Sequence, residues 1–434
     1  MNGGRSRRGG AFCSCLVWAL AFLSGHVLSN APSMISATSV GINYGQVADN
    51  LPPTDEVVGL LQSNNISKIK LYSVNATVLK VFANSGIELV VGMGNEYLAS
   101  MTALDQATQW VRENIQAYLP ATRITGIAVG NEVLTGTDKQ LIANLLPAMK
   151  NVHSALASIG ADRNITITTP HSLAVLGNSF PPSSGAFKPD LTTSMKPLLN
   201  FLSQIGAPFF INAYPYFAYK DQPNQVSLQY VLFQPNGGVV DPNNNAHYDN
   251  MLYAQIDAVY YALSALGFAN LEITVSETGW PSAGDSNEAG ATPQNAQIYN
   301  GNLIQRLALN QGTPARPKLV VKAYIFALFN EDMKDGPKSE RNYGLYKPDG
   351  TPTYSVGLAG TLRTGSSPVG SSPVGTSPVD SPLNSTSSAQ SPTESNVPYS
   401  IYSYSKGNHF ASPVAIHREI LSVCSFFLGF LFLQ

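Results

Sequence analysis

A (β/α)8 barrel is the fold predicted over residues 39–362 of this 434-residue chain. Three observations predict it. Eight short apolar or β-branched runs recur along the chain, segments of helical period lie between them, and several of those segments end at a glycine suited to a helix C-cap. The alternative is a doubly wound open sheet, which has no required strand count. A dinucleotide-binding version would carry G-x-G-x-x-G after its first strand, and GMGNEY at 92–97 has only the first two glycines of that motif.

The runs are SVGINYG (39–45), ISKIKLYS (66–73), IELVVGM (87–93), RITGIAVGNE (123–132), NITITTP (164–170), PFFINAYPYF (208–217), EITVSETGWP (272–281) and KAYIFALFNE (322–331). The gaps hold TDEVVGLLQS, ATVLKVFANSG, TALDQATQWVRENIQAYL, TDKQLIANLLPAMKNVHSALASIG, TSMKPLLNFLSQIG, MLYAQIDAVYYALSALG and NAQIYNGNLIQRLALNQG, each with helical spacing of its apolar residues. Gly86, Gly160, Gly206, Gly267 and Gly312 are the expected C-caps. The connection from Lys220 to about Asp249 is long and rich in Asn, Gln and Pro, the kind of loop that sets specificity in such barrels.

A barrel of this type carries its active site at the C-terminal ends of the strands. Those ends hold Tyr44, Tyr72, Asn131 with Glu132, His171, Asn212 with Tyr214, Glu277 with Trp280, and Asn330 with Glu331. Carboxylates and aromatic rings without a metal-ligand cluster suit a neutral, polyhydroxylated substrate. His153, His171 and His247 are scattered, and a lone histidine is more often structural than a ligand. The triplet Gly-Asn-Glu occurs twice, ending at Glu96 and at Glu132. Glycosidic bonds are cleaved by paired carboxyl groups, one protonated and one ionised, and a separation of about 5–5.5 Å implies retention of anomeric configuration. Glu132 and Glu277 can face each other across the mouth. Residue type alone does not assign the roles, because surroundings must move the two pKa values apart.

GINYG, IAVGNEVL, INAYPYF, ITVSETGWPSAG and FALFNE, the last followed by Lys334, Glu340 and YGLY, resemble in order and spacing the plant β-1,3-glucanases of glycoside hydrolase family 17. The resemblance spans about 39–350. It implies a (β/α)8 barrel with a long groove and endo-hydrolysis with retention. It also implies Glu132 as proton donor and Glu277 as nucleophile, with Glu96 in a loop that is not catalytic. Asn131 is expected to hydrogen-bond a sugar hydroxyl or to stabilise the strand-to-helix turn. Trp280 offers a face to a pyranose ring or lies in the core, and Tyr44, Tyr214 and Tyr216 are similar cases. Glu331, Lys334 and Glu340 match charged positions of the family, where they hold the nucleophile ionised and orient hydroxyls, or form a surface ion-pair network. Glucan-binding without activity and transfer to another glycan are the rival readings. No metal or organic cofactor is implied, and a monomer is expected.

The ends of the chain read differently. Arg5, Arg7 and Arg8 precede the apolar run 11–23, the pattern of a secretory signal peptide over 1–38. Cys13, Cys15 and Cys424 are the three cysteines, so the body between has none and must be stable through its core. Sequons at Asn65, Asn75, Asn164 and Asn384 become candidate glycosylation sites in a secreted chain. Residues 363–405 form a Ser/Thr/Pro-rich stalk containing SSPVGSSPVGTSPVDSP. Residues 406–434 resemble a GPI-anchor signal, with Ser405 as the expected lipidation site and the plasma-membrane surface or cell wall as the destination. Removing both ends would take the formal net charge from −2 to −6. Of all residues, 44% are hydrophobic and 12% charged, which suits one large core and argues against a nucleic-acid partner. The expected partners are a β-glucan polysaccharide and, through the anchor, a membrane.

Overall fold

The computed structural model describes residues 40–357. The signal peptide, the stalk, Asn384, Ser405 and the anchor signal lie outside them. All eight expected runs contain parallel strands: β1 (Val40–Tyr44), β2 (Lys68–Leu71), β3 (Glu88–Met93), β4 (Ile124–Val129), β5, β6 (Phe209–Asn212), β7 (Ile273–Thr278) and β8 (Ala323–Ile325). Strand β5 comes in two halves, Thr166–Thr168 and Pro170–Ser172. The first half pairs with β4 and the second with β6. The two ends of the sheet order are therefore one continuous stretch of chain, which closes the barrel around the sequence β1 to β8.

Helices α1 (Thr54–Ser63), α2 (Ala76–Val81), α3 (Leu104–Asn114), α4 (Lys139–Ser158), α5 (Thr192–Ile205), α6 (Pro215–Asp221), α7 (Leu228–Val231), α8 (Met251–Ala265) and α9 (Pro293–Ala308) occupy the connections. Their starts follow from side-chain caps that satisfy orphan N–H groups: Asn75 for α2, Asp138 for α4, Asn250 for α8 and Thr292 for α9. Gly206 ends α5 with φ +67°, as expected. Gly312 is a correction. Helix α9 stops at Ala308, the left-handed position falls to Asn310, and Gly312 serves close approach instead, since a Cβ there would collide with Arg316 O.

Strand alternation sends one set of side chains to the helices and the other into the barrel. The outward set joins the large outer core, whereas Val90, Ala128, Phe210 and Tyr324 form a separate inner cluster. Later along the strands, towards their C-terminal ends, the inner set turns polar: Asn43, Lys70, Asn212 and Ser276 are all buried. The expected strand over 208–217 ends at Asn212, and Pro215 opens α6 because its fixed φ suits a first helical position. Tyr216 therefore does not share a strand face with Tyr214. The long connection after α6 is not a bare loop either. It holds α7 and a hairpin pairing Val239–Val240 with His247–Tyr248.

Candidate active site

Glu132 follows β4 in a tight turn. Gly130 and Glu132 both have positive φ, +67° and +53°. Glu132 N–H donates to Pro170 O at 2.9 Å, tying the turn to β5. Its carboxyl Oε1 accepts from Asn212 Nδ2 at 3.0 Å, and Asn212 Oδ1 in turn accepts from Ser276 Oγ at 2.6 Å. Burial, and then the negative charge of Glu277, push the Glu132 carboxyl up to about 7, against the hydrogen bond from Asn212 and the charge of Lys70.

Glu277 lies near the end of β7, where the pairing register shifts against both neighbours between Val275 and the end of the strand. Such an irregularity re-aims side chains. Here it lets Ser276 reach Asn212 while Glu277 is paired with Asn212 in register. Glu277 Oε1 meets Lys70 Nζ at 3.1 Å and Oε2 accepts from Tyr214 OH at 3.0 Å. Lys70 is 1% exposed, donates also to Asn43 Oδ1 at 3.2 Å, and lies 4.0 Å from the centre of the Tyr72 ring. Burial pulls its ammonium below the ordinary value, opposed by the charge of Glu277. Burial and the charge of Glu277 raise the Tyr214 phenol well above its ordinary value, so it stays a donor to the carboxylate.

The structure thus brings Glu132 and Glu277 into one electrostatic unit. Glu331, Lys334 and Glu340 stand beside it. Glu331 accepts from Val47 N at 2.9 Å and pairs with Lys334 at 3.3 Å, and Lys334 Nζ sits 4.0 Å over the Phe326 ring. Burial raises the Glu340 carboxyl, with Lys334 opposing and Glu277 adding to the rise. Asn131 Oδ1 is buried and finds no hydrogen-bond partner among the described residues, so it is a free acceptor beside Glu132.

Burial decides several alternatives that the sequence leaves open, and it takes Trp280, Tyr44 and Glu331 out of the expected substrate contacts. Trp280 is fully buried, donates Nε1–H to Gly290 O at 2.8 Å and packs against Tyr216, Tyr219 and Tyr299, so it offers no face to a ligand. Tyr44 is 1% exposed and packs edge-on against Phe329. Glu331 is likewise enclosed, a prop for Val47 and Lys334 rather than a direct ligand contact. His171 stacks at 4.6 Å on Phe209, a member of the outer core, and burial lowers its pKa to about 3. Glu96 is exposed on the turn Asn95–Tyr97. Among the sequons, Asn65 and Asn164 are exposed, whereas Asn75 is partly buried and occupied in capping α2.

Three members of the site do not stand out in the sequence: Asn43, Lys70 and Ser276. Lys70 had a signal. In ISKIKLYS the lysines alternate with Ile69 and Leu71, so a lysine points into the barrel two residues before the strand-end Tyr72.

Comparison with known proteins identifies the family of the barrel. Residues 40–358 match the model of glycosyl hydrolases family 17. The chain is 53% identical over 343 residues to glucan endo-1,3-beta-glucosidase 11 of Arabidopsis thaliana, covering 79% of this chain and 80% of that one. It is 46% identical over 351 residues to a glucan endo-1,3-beta-D-glucosidase of Olea europaea, covering 81% and 76%. Among solved structures, CJP38, a beta-1,3-glucanase and allergen of Cryptomeria japonica pollen, superposes with a TM-score of 0.71 at 44% identity, covering 74% of this chain and 99% of that one. With the family model spanning the whole described barrel, the chain belongs to glycosyl hydrolase family 17.

Proposed function

We propose that this chain hydrolyses internal β-1,3 linkages of a cell-wall glucan, with retention, using Glu132 as acid and base and Glu277 as nucleophile. The observation that carries the reading is the opposed environment of the two carboxyls. Glu132 is held towards its protonated form, pushed up to about 7, while the two oxygens of Glu277 are fixed by the Lys70 ammonium at 3.1 Å and the Tyr214 hydroxyl at 3.0 Å. Similarity to the glucan endo-1,3-beta-glucosidases supports the substrate.

In the first step a Glu277 oxygen bonds to the anomeric carbon as the glycosidic C–O bond breaks, and Glu132 gives its proton to the leaving oxygen. In the second step Glu132, now a carboxylate, takes a proton from water. The water oxygen bonds to the same carbon and the Glu277 ester breaks. Two displacements restore the starting configuration. Asn131 Oδ1, without a hydrogen-bond partner among the described residues, is the candidate acceptor for a sugar hydroxyl next to the reacting carbon. Tyr214 and Lys70 orient the nucleophile rather than touch the polymer.

The test is product analysis on a linear β-1,3-glucan. Short β-1,3 oligomers formed first as the β-anomer are expected. Products longer than the substrate would replace hydrolysis by transfer, and binding without products would leave a glucan-binding protein. Secretion, glycosylation and a lipid anchor at Ser405 belong to the same proposal on the composition of the two ends. A GPI-specific phospholipase should release the protein from membranes, and retention after treatment would remove the anchor from the account.

A further inference from the structure

The two Gly-Asn-Glu triplets end neighbouring strands, and the first has no part in the chemistry proposed above. Its asparagine nevertheless touches the second triplet. The β3–β4 ladder runs out with Gly130 N–H donating to Met93 O at 2.8 Å. One residue further β3 has turned away into the short turn Asn95–Tyr97, and the peptide groups of Asn131 are left with no strand partner. The Asn95 carboxamide takes that place. Its Oδ1 accepts from Asn131 N–H at 2.8 Å, and its Nδ2 donates to Asn131 O at 3.1 Å. A carboxamide carries one acceptor and two donors on a plane, as a peptide group carries an acceptor and a donor, so the side chain continues the ladder by one rung.

The rung matters because Glu132 is the next residue. Glu132 has φ +53° and ψ +28°, a left-handed conformation that a glutamate adopts only where its surroundings over-determine it. Asn95 fixes the peptide before it, and Pro170 O fixes its own N–H at 2.9 Å. Gly130 makes room: a Cβ there would lie 3.0 Å from Asn95 Oδ1 and 2.8 Å from Val133 Cγ2.

We infer that Asn95 is a positioning residue for the Glu132 carboxyl, acting through the Asn131 peptide and not through the substrate. The inference rests on the glucanase reading. Without the clamp, residues 130–132 relax out of the left-handed turn and the carboxyl leaves its place against Asn212. The charged groups that face it there are Glu277 from β7, Lys70 from β2 and Glu340 from the segment after β8. Leaving that buried place beside Glu277 lets the carboxyl ionise at lower pH, so the alkaline limb of the rate profile moves down in pH.

The experiment measures kcat, KM and the pH profile of Asn95→Ala, Asn95→Asp and Glu96→Gln in the full-length protein on a linear β-1,3-glucan, with thermal unfolding of each. Asn95→Ala is expected to lose about 10²-fold in kcat, the scale of a small misplacement of a reacting group, with KM within about threefold of wild type. Its alkaline limb moves to lower pH. Asn95→Asp keeps the shape and the acceptor, recovers part of kcat, and carries the test alone if the alanine variant does not fold. Glu96→Gln matches wild type. Wild-type kcat and alkaline limb in both Asn95 variants would overturn the inference while leaving the glucanase reading intact. A raised KM with unchanged kcat would overturn it by placing Asn95 on the substrate. A wild type that cleaves no β-glucan would bring down the reading and the inference together.

Discussion

The two ends of the barrel pair the same residue types to different effect. Strand β2 carries Lys68 and Lys70 on one side, two residues apart. At the N-terminal end Lys68 meets Glu88 at 3.6 Å, Arg123 meets the same carboxylate at 2.9 Å, and nearby Lys322 meets Glu272 at 2.9 Å. All of these side chains reach water, from 25% exposed for Glu88 to 61% for Arg123. At the other end Lys70, 1% exposed, meets Glu277 at 3.1 Å. Water screens the first group, so each pair contributes roughly 0–1 kcal/mol. The second pair has lost its water and stands only because Asn43 and Tyr214 satisfy what remains. Burial, and not the kind of pair, separates a surface ornament of charge from a reactive site.

The comparison can be broken most sharply at Glu277. Glu277→Ala is expected to lower kcat by about 10⁴-fold or more while the barrel still folds, because a covalent nucleophile has no substitute. Near-normal turnover would remove Glu277 from the chemistry. Lys70→Met comes next. It should cost about 10²-fold or more in kcat and about 3 kcal/mol or more of stability in denaturant unfolding, since it leaves a buried carboxylate without its cation. The double variant Lys70→Met, Glu277→Gln should regain most of that stability and stay inactive. If Lys70→Met is as stable as wild type, the pair is not desolvated as described.

The pH dependence gives a third, smaller effect. The Glu132 carboxyl is raised from 4.5 to about 7, so kcat/KM should fall about tenfold per unit of pH above about 7 as the acid loses its proton. The same raised value makes folding favour the protonated form. The stability it lends is fully present below about 4.5 and lost as pH rises through about 7. Glu132→Gln should remove this part of the pH dependence of unfolding. The smallest effect belongs to the other end: Lys68→Ala should change stability by under about 1 kcal/mol and kcat not at all.

The barrel was legible because its strands are continuous apolar runs and its helices keep a 3.6-residue period, both local properties of the chain. The positions of Glu132 and Glu277 followed from strand ends. What escaped was decided over long range. Trp280 in SETGWP can be read as a sugar platform or a core residue, and the choice is made by Tyr219 from α6, Tyr299 from α9 and the carbonyl of Gly290, which close over it. The split of β5 depends on which neighbour each half meets. Asn95 reads as part of an inert repeat until the turn after β4 is brought against it.

The assignment of the two glutamates is tested most directly by azide rescue. Glu132→Ala and Glu277→Ala would each be given an aryl β-1,3-glucoside with a good leaving group, in the presence of azide, and the configuration of the glycosyl azide read by NMR. Azide should enter the gap left at Glu277 and displace the leaving group once, giving the α-azide. In the Glu132 variant the glycosyl ester on Glu277 still forms, and azide attacks it to give the β-azide. The reverse pairing of variants and anomers would contradict the account.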